Sequence, residues 1–115
     1  MIDFNEIHTQ ATQAAREAVR KFLDEWTEKT GGNQYGEPMY CGFAWVDVKE
    51  RSNSKLGKAL QAAGFRKSYQ SGVLQLWDPA QHRGQSMDAK EVGAQAYADV
   101  LRANGIQAYM GSRAD

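Results

Sequence analysis

The chain has 115 residues, of which 42% are hydrophobic and 24% charged, fractions that are ordinary for one globular domain with its own core. Fourteen basic and fourteen acidic residues give a formal net charge of zero, which argues against a protein that coats nucleic acid or membrane through bulk charge. The single cysteine excludes an intrachain disulfide, and no basic leader or long apolar run is present. We therefore expect a cytoplasmic protein with no membrane partner.

The N-terminal part of the chain predicts a long amphipathic helix. Apolar residues recur at spacings of three and four from Phe4 to Trp26, and two adjacent glycines then end the pattern. The glycines open a loop that we interpret as a hinge. The chain is thus divided into a helix at 1–30, a Gly-rich loop at 31–38 and an α+β core at 39–115, within one domain.

Periodicity and turn residues predict four strands and two helices in the core. In chain order these are a strand at 39–48, a helix at about 52–63, strands at 65–69 and 73–77, a helix at 86–103 and a strand at 106–110 that is followed by a polar tail. Both helices end at glycines, and a Ser-Gly turn joins the two middle strands. The order βαββαβ predicts an α+β fold with a four-stranded antiparallel sheet, ferredoxin-like in order, with an additional N-terminal helix.

The first predicted strand has two unlike faces. Phe43, Trp45 and Asp47 share one face, and small residues on the other face suit close packing of helices. Since the internal helices of a ferredoxin-like fold lie on one side of the sheet, the other side would expose an aromatic interface of Phe43, Trp45 and Trp77. We expect the N-terminal helix or a second subunit to cover it.

Residues 42–48 (GFAWVDV) are similar to the aromatic strand pattern of RRM domains, whose open sheets stack RNA bases. In an RRM domain that pattern lies on the third strand, whereas here it lies on the first, and the net charge is zero. Packing of Phe43 and Trp45 against the N-terminal helix is therefore the preferred interpretation, and base stacking is the alternative.

A basic stretch at 49–67 contains six basic residues and one acid. Two of its lysines share a helical face, and an arginine precedes a helix N-terminus, where backbone donors attract anions. A solvated helix face is the alternative interpretation. The candidate anion or nucleic-acid site consists of Arg51, Lys55, Lys58, Arg66 and Lys67.

No catalytic or metal-ligand pattern stands out. The two histidines are isolated, and Cys41 is predicted to be an inert core thiol. Asp47, a carboxylate in an apolar strand, and His82, in a loop before a helix, are the candidates for a small enzyme. We expect no cofactor and no bound metal.

Three pieces of the chain resemble small uncharacterised accessory proteins of tailed bacteriophages: FAWVDV, SKLGKALQAAGFRKSY with GVLQLW, and QSMDAKEVGAQAYADVLRANGIQAYMGSRAD. The resemblance implies a phage accessory protein in a bacterial cytoplasm and brings no catalytic residues. The first hypothesis is a non-catalytic protein that binds a host or phage macromolecule, for instance to counter a host pathway. The second is a nucleotide- or nucleic-acid-binding protein that uses the basic stretch, and the third is an enzyme. Homo-oligomers through the N-terminal helix or the sheet are left open.

Overall fold

The structure is a computed structural model that describes residues 3–30, 41–82, 84 and 86–114. Within these ranges it contains three helices and a four-stranded antiparallel sheet, which confirms the predicted α+β class. The predicted Gly-rich loop at 31–38 lies outside the described residues. In chain order the elements are α1 (Phe4–Thr30), β1 (Gly42–Lys49), α2 (Lys55–Ala62), β2 (Arg66–Lys67), β3 (Val73–Trp77), α3 (Met87–Ala103) and β4 (Ala108–Ala114).

The strands lie in the order β2-β3-β1-β4, and each neighbouring pair is antiparallel. β1 is therefore central, between β3 and β4. Its residues alternate in burial: Ala44, Val46 and Val48 are buried, whereas Phe43 and Trp45 are half-exposed. This alternation confirms the two faces predicted for the first strand.

One hydrophobic core lies between the sheet and the helices. Buried residues of β1 share it with Leu60 of α2, with Tyr97 and Leu101 of α3, and with Ala11 and Ala15 of α1. All five side chains are fully buried. Since only one side of β1 contributes to this core, the three helices lie on the same side of the sheet.

The N-terminal helix α1 packs along α3, on the helical side of the sheet. Its buried stripe runs through Phe4, Ile7, Ala11, Ala15 and Val19, and the alanines allow the two helices to approach closely. The expectation that this helix covers the aromatic side of β1 is therefore wrong. A helix with one apolar stripe covers one surface, and α3 occupies that stripe.

The contact between α1 and α3 contains a polar pair. Nδ1 of His8 lies 2.7 Å from the hydroxyl oxygen of Tyr97, and the ring of Phe4 stacks on the imidazole. Burial lowers the pKa of His8 from its ordinary 6.5 and raises the pKa of Tyr97. Both groups are therefore uncharged at neutral pH.

We expect the free energy of unfolding to fall as the pH decreases below 6.5. The reason is that His8 binds a proton more readily in the unfolded chain than in the folded one. A folded-state pKa below the unfolded one means that this stability is complete above pH 6.5 and is lost as the pH falls through the folded pKa. Urea unfolding on both sides of that pH measures it. His8→Asn keeps a hydrogen-bond acceptor near Nδ1 and removes the titration, so its stability is expected to vary less with pH. Identical pH profiles for the two proteins would exclude His8 as the cause.

Three sequence-based predictions change at the sheet margins. β2 has two residues instead of the five predicted. Cys41 is exposed instead of buried, because it lies just before β1, where it pairs with Ser86 in an isolated bridge. β4 continues to Ala114, where a polar tail was expected, and pairs with β1 along its length. The extra pairing adds side chains to the side of the sheet that faces away from the helices.

Candidate functional site

Within the described strands, the side of the sheet opposite the helices carries four aromatic residues. Strand register places Phe43 and Trp45 of β1 on the same side as Trp77 of β3 and Tyr109 of β4. Trp77 is 45% exposed and Tyr109 is 48% exposed, whereas the two rings of β1 are half-buried. These four residues, here called the aromatic face, lie on a side of the sheet that no described helix covers.

Trp45 and Trp77 are directly opposite each other on β1 and β3. Their ring centroids are 4.8 Å apart and their planes differ by 24°, a stacked arrangement. The ring of Phe43 lies against Trp77, and the centroids of these two rings are 5.8 Å apart. Three rings on two central strands therefore make one continuous surface.

Gly111 of β4 allows the indole of Trp45 to lie flat across the sheet. The two residues are register partners, and a Cβ atom at position 111 would lie 2.6 Å from Nε1 of Trp45. Any larger residue at this position would push the indole away from β4. The orientation of Trp45 is thus set from both sides, by Gly111 and by Trp77.

Four cationic side chains surround the outer rings of the aromatic face. They lie 5.3 to 6.0 Å from the ring centroids, Lys90 and Arg113 over Phe43, and Lys49 and Arg102 over Tyr109. Such positions favour cation–π attraction. Two further charges lie on this side of the sheet by register, the cation Arg66 and the carboxylate Asp47.

The structure separates the predicted basic set into three places. Arg66 is on the side of the sheet that carries the aromatic face. Arg51 and Lys67 line a shallow groove of about 420 Å³ between the β1–α2 loop and the β2–β3 turn. Lys55 and Lys58 are exposed on α2. The five residues therefore do not form one continuous site.

The sequence predicted an anion site at the N-terminus of α2. In the structure, side chains of the protein supply the hydrogen-bond acceptors there. The Ser54 hydroxyl oxygen accepts from the Gly57 backbone N–H at 2.9 Å, and the same hydroxyl donates to the Glu50 carboxylate. Glu50 also lines the adjoining groove. A bound anion would face this carboxylate, so the arrangement disfavours a phosphate at this terminus.

The two candidate catalytic residues lie on separate elements. Asp47 is in the middle of β1, and its Oδ2 accepts from Nε1 of Trp45 at 3.3 Å. His82 follows β3, and its backbone N–H donates to Oδ1 of Asp78 at 3.1 Å. Among the residues that the structure describes, no group of three or more His, Cys, Asp or Glu is placed to hold a metal ion.

Comparisons of the chain with protein-family models, with curated proteins and with solved structures gave no match. None of the helices in the described ranges combines the length and apolar character needed to cross a bilayer. The interpretation of the site therefore depends on the geometry of the aromatic face.

The sequence-based reasoning missed the part of the site that comes from β4. Tyr109, Gly111 and Arg113 were assigned to a strand end and a polar tail. The alternation of Ala108 and Met110 with these residues is a strand signal that continues past position 110.

Proposed function

We propose that the protein binds single-stranded nucleic acid on the aromatic face. The observation that carries this proposal is the stacked pair of Trp45 and Trp77 on the side of the sheet where no described helix packs. Unstacked bases bind to aromatic side chains in this way, and each base contributes roughly 1–3 kcal/mol. A double helix, whose bases are already stacked on each other, would gain nothing from these rings.

The charges around the aromatic face match a phosphate backbone. Lys49, Arg66 and Arg113 lie on this side of the sheet by register, against the single carboxylate of Asp47. Residues 41–115 contain ten bases and seven acids, whereas residues 1–40 contain four bases and seven acids. The formal net charge of zero thus combines a basic core with an acidic N-terminal part, and the aromatic face belongs to the basic part.

The dimensions of the face suit a short segment. Trp77 and Tyr109 are on β3 and β4, which lie two strand spacings, or about 10 Å, apart. The two residues are also offset by two positions along the strands. Four-stranded sheets that bind RNA stack two or three bases on such a surface. The proposed ligand is therefore a strand of a few unpaired nucleotides.

We also propose that the sheet and its two crossing helices have a ferredoxin-like topology. β3 lies between β1 and β2, and β1 lies between β3 and β4, so each strand–helix–strand unit is split by a strand of the other unit. This interleaving supports a ferredoxin-like assignment for residues 41–114, with α1 added on the helical side.

The resemblance to accessory proteins of tailed bacteriophages suggests where the protein acts and which nucleic acids it meets. In that setting the ligand is a host or phage single strand in the bacterial cytoplasm, and binding requires no catalytic group. Sequestration of such a strand is one way in which an accessory protein counters a host pathway.

Binding of fluorescein-labelled oligouridylate and oligothymidylate, followed by anisotropy at several salt concentrations, tests the proposal. For single strands the slope of log K against log salt is about −0.7 for each phosphate neutralised. We expect Lys49→Gln/Arg113→Gln to weaken binding and to reduce the slope by about 1.4. The matched control, Lys55→Gln/Lys58→Gln, removes the same charge from the exposed side of α2 and is expected to bind as the parent does.

Equal losses in the two double variants would mean that the affinity follows the general charge of the basic core, so that the aromatic face is not the binding site. The absence of any binding by the parent protein would reject the proposal. Sedimentation equilibrium adds a further check, because an aromatic face that joins two copies of the chain would give a dimer that Trp77→Ala dissociates. A dimer of this kind without oligonucleotide binding would replace nucleic-acid binding by self-association.

A further inference from the structure

Asp47 is the one acidic residue that strand register places on the side of the sheet with the aromatic face. Its neighbours across the sheet are Gln75 on β3 and Tyr109 on β4, and Trp45 lies two residues before it on the same strand. Cross-strand neighbours have Cβ atoms about 5 Å apart. A base stacked on these rings therefore has the Asp47 carboxylate within reach of its edge.

The two oxygens of this carboxylate differ in their contacts. Oδ2 accepts from Nε1 of Trp45 at 3.3 Å, whereas Oδ1 is buried and accepts from no described residue. A buried carboxylate oxygen without a donor is destabilising, and a ligand that supplies a donor removes this cost. Asp47 as a whole is only half-buried, so a change of its χ1 rotamer that carries the carboxylate outward would bring both oxygens to the aromatic face.

Gln75 adds the opposite hydrogen-bonding character beside Asp47. Its Oε1 accepts from Nε1 of Trp77 at 3.1 Å, which fixes the orientation of the amide, because an indole N–H can only donate. The Nε2 group keeps its two hydrogens for other acceptors. The aromatic face thus presents a carboxylate acceptor next to an amide donor, on adjacent central strands.

We infer that Asp47 and Gln75 select guanine among the bases that stack on the aromatic face. This inference rests on the proposed binding of single strands. Guanine carries two parallel donors, N1–H and N2–H, which match a carboxylate, and beside them the acceptor O6, which matches the amide of Gln75.

The other bases fit this pair less well. Cytosine and adenine each offer one amino group on the same edge, which satisfies one carboxylate oxygen. Uracil and thymine have a single N3–H between two carbonyl oxygens, and these oxygens repel the carboxylate. A mismatched pattern leaves polar groups unpaired, which is the usual origin of strong discrimination.

Anisotropy with RNA and DNA octamers that contain one guanine in a uridine or thymidine tract tests the inference. We expect the parent protein to bind them about tenfold more tightly than the all-pyrimidine octamers. Asp47→Asn keeps an oxygen that accepts from Trp45 but loses the second acceptor, so it is expected to bind both octamers with similar affinity. Asp99→Asn, at an exposed position of α3, makes the same charge change and is expected to keep the preference.

The outcomes separate this inference from the proposed function. If the parent binds all octamers equally, or if Asp47→Asn keeps the guanine preference, base selection by Asp47 is wrong while single-strand binding stands. If the parent binds no octamer, both are wrong. Comparing the affinity ratio within each variant removes the general effect of one lost negative charge.

Discussion

Trp77→Ala is expected to weaken the binding of a single-stranded oligonucleotide by about 5- to 100-fold, which corresponds to the loss of one stacked base. Trp77 is the most exposed ring of the stacked pair and contacts both Trp45 and Phe43. Its removal takes away the β3 side of the aromatic face and the stacking partner of Trp45, while the core between sheet and helices is unchanged. Fluorescence anisotropy gives the affinity, and circular dichroism with thermal unfolding shows whether the fold is retained.

The matched control for this loss is Tyr69→Ala. Tyr69 is 99% exposed and lies in the turn between β2 and β3, outside the aromatic face. Its truncation removes a surface aromatic of similar size and is expected to leave the affinity within about twofold, since exposed positions away from a site have small effects. Equal losses for Tyr69→Ala and Trp77→Ala would mean that binding does not depend on the stacked tryptophans.

Gly57→Ala is expected to lower the free energy of unfolding by about 2 kcal/mol or more. Gly57 is buried in α2 where the chain after β1 crosses the helix, and a Cβ atom there would lie 1.9 Å from the carbonyl oxygen of Arg51. That contact is with backbone, so no side-chain rotation relieves it. The loop would have to move, and the cap that Ser54 provides for Gly57 would move with it.

In an open helix the same substitution has the opposite sign. Alanine normally stabilises a helix by about 0.5–1 kcal/mol relative to glycine. Unchanged or increased stability for Gly57→Ala in urea unfolding would therefore contradict the close approach of the loop to α2. Lys58→Ala, at the next position and exposed, is the control and is expected to stay within about 0.5 kcal/mol of the parent.

Most helices and strands of the fold could be predicted from the sequence, because they follow from local patterns. The apolar spacing from Phe4 onward marks α1, and β3 has the predicted bounds because Ser-Gly before it and Asp-Pro after it are strong turn signals. The predicted bounds of β2 and β4 were less accurate. β2 and β4 are the edge strands, and their lengths depend on how many residues pair with the neighbouring strand. The local sequence pattern does not predict that number.

The candidate site was predictable only in part. The alternation along β1 placed Phe43 and Trp45 on one face, and the element order added Trp77. Tyr109 and Gly111 joined the site only through the register of β4 against β1. The basic stretch looked like one site because its residues are close in sequence, whereas the helix and hairpin direct them to different surfaces.

The amino-acid sequence by itself determined the α+β class, the helices and the two unlike faces of the first strand, because periodicity and turn residues act locally. The tertiary structure alone decided which surface the described helices leave uncovered. α1 had one apolar stripe and two surfaces that could receive it, the aromatic side of the sheet and α3. Packing against α3 brings alanines of both helices together and leaves the stacked tryptophans on the side of the sheet where no described helix packs.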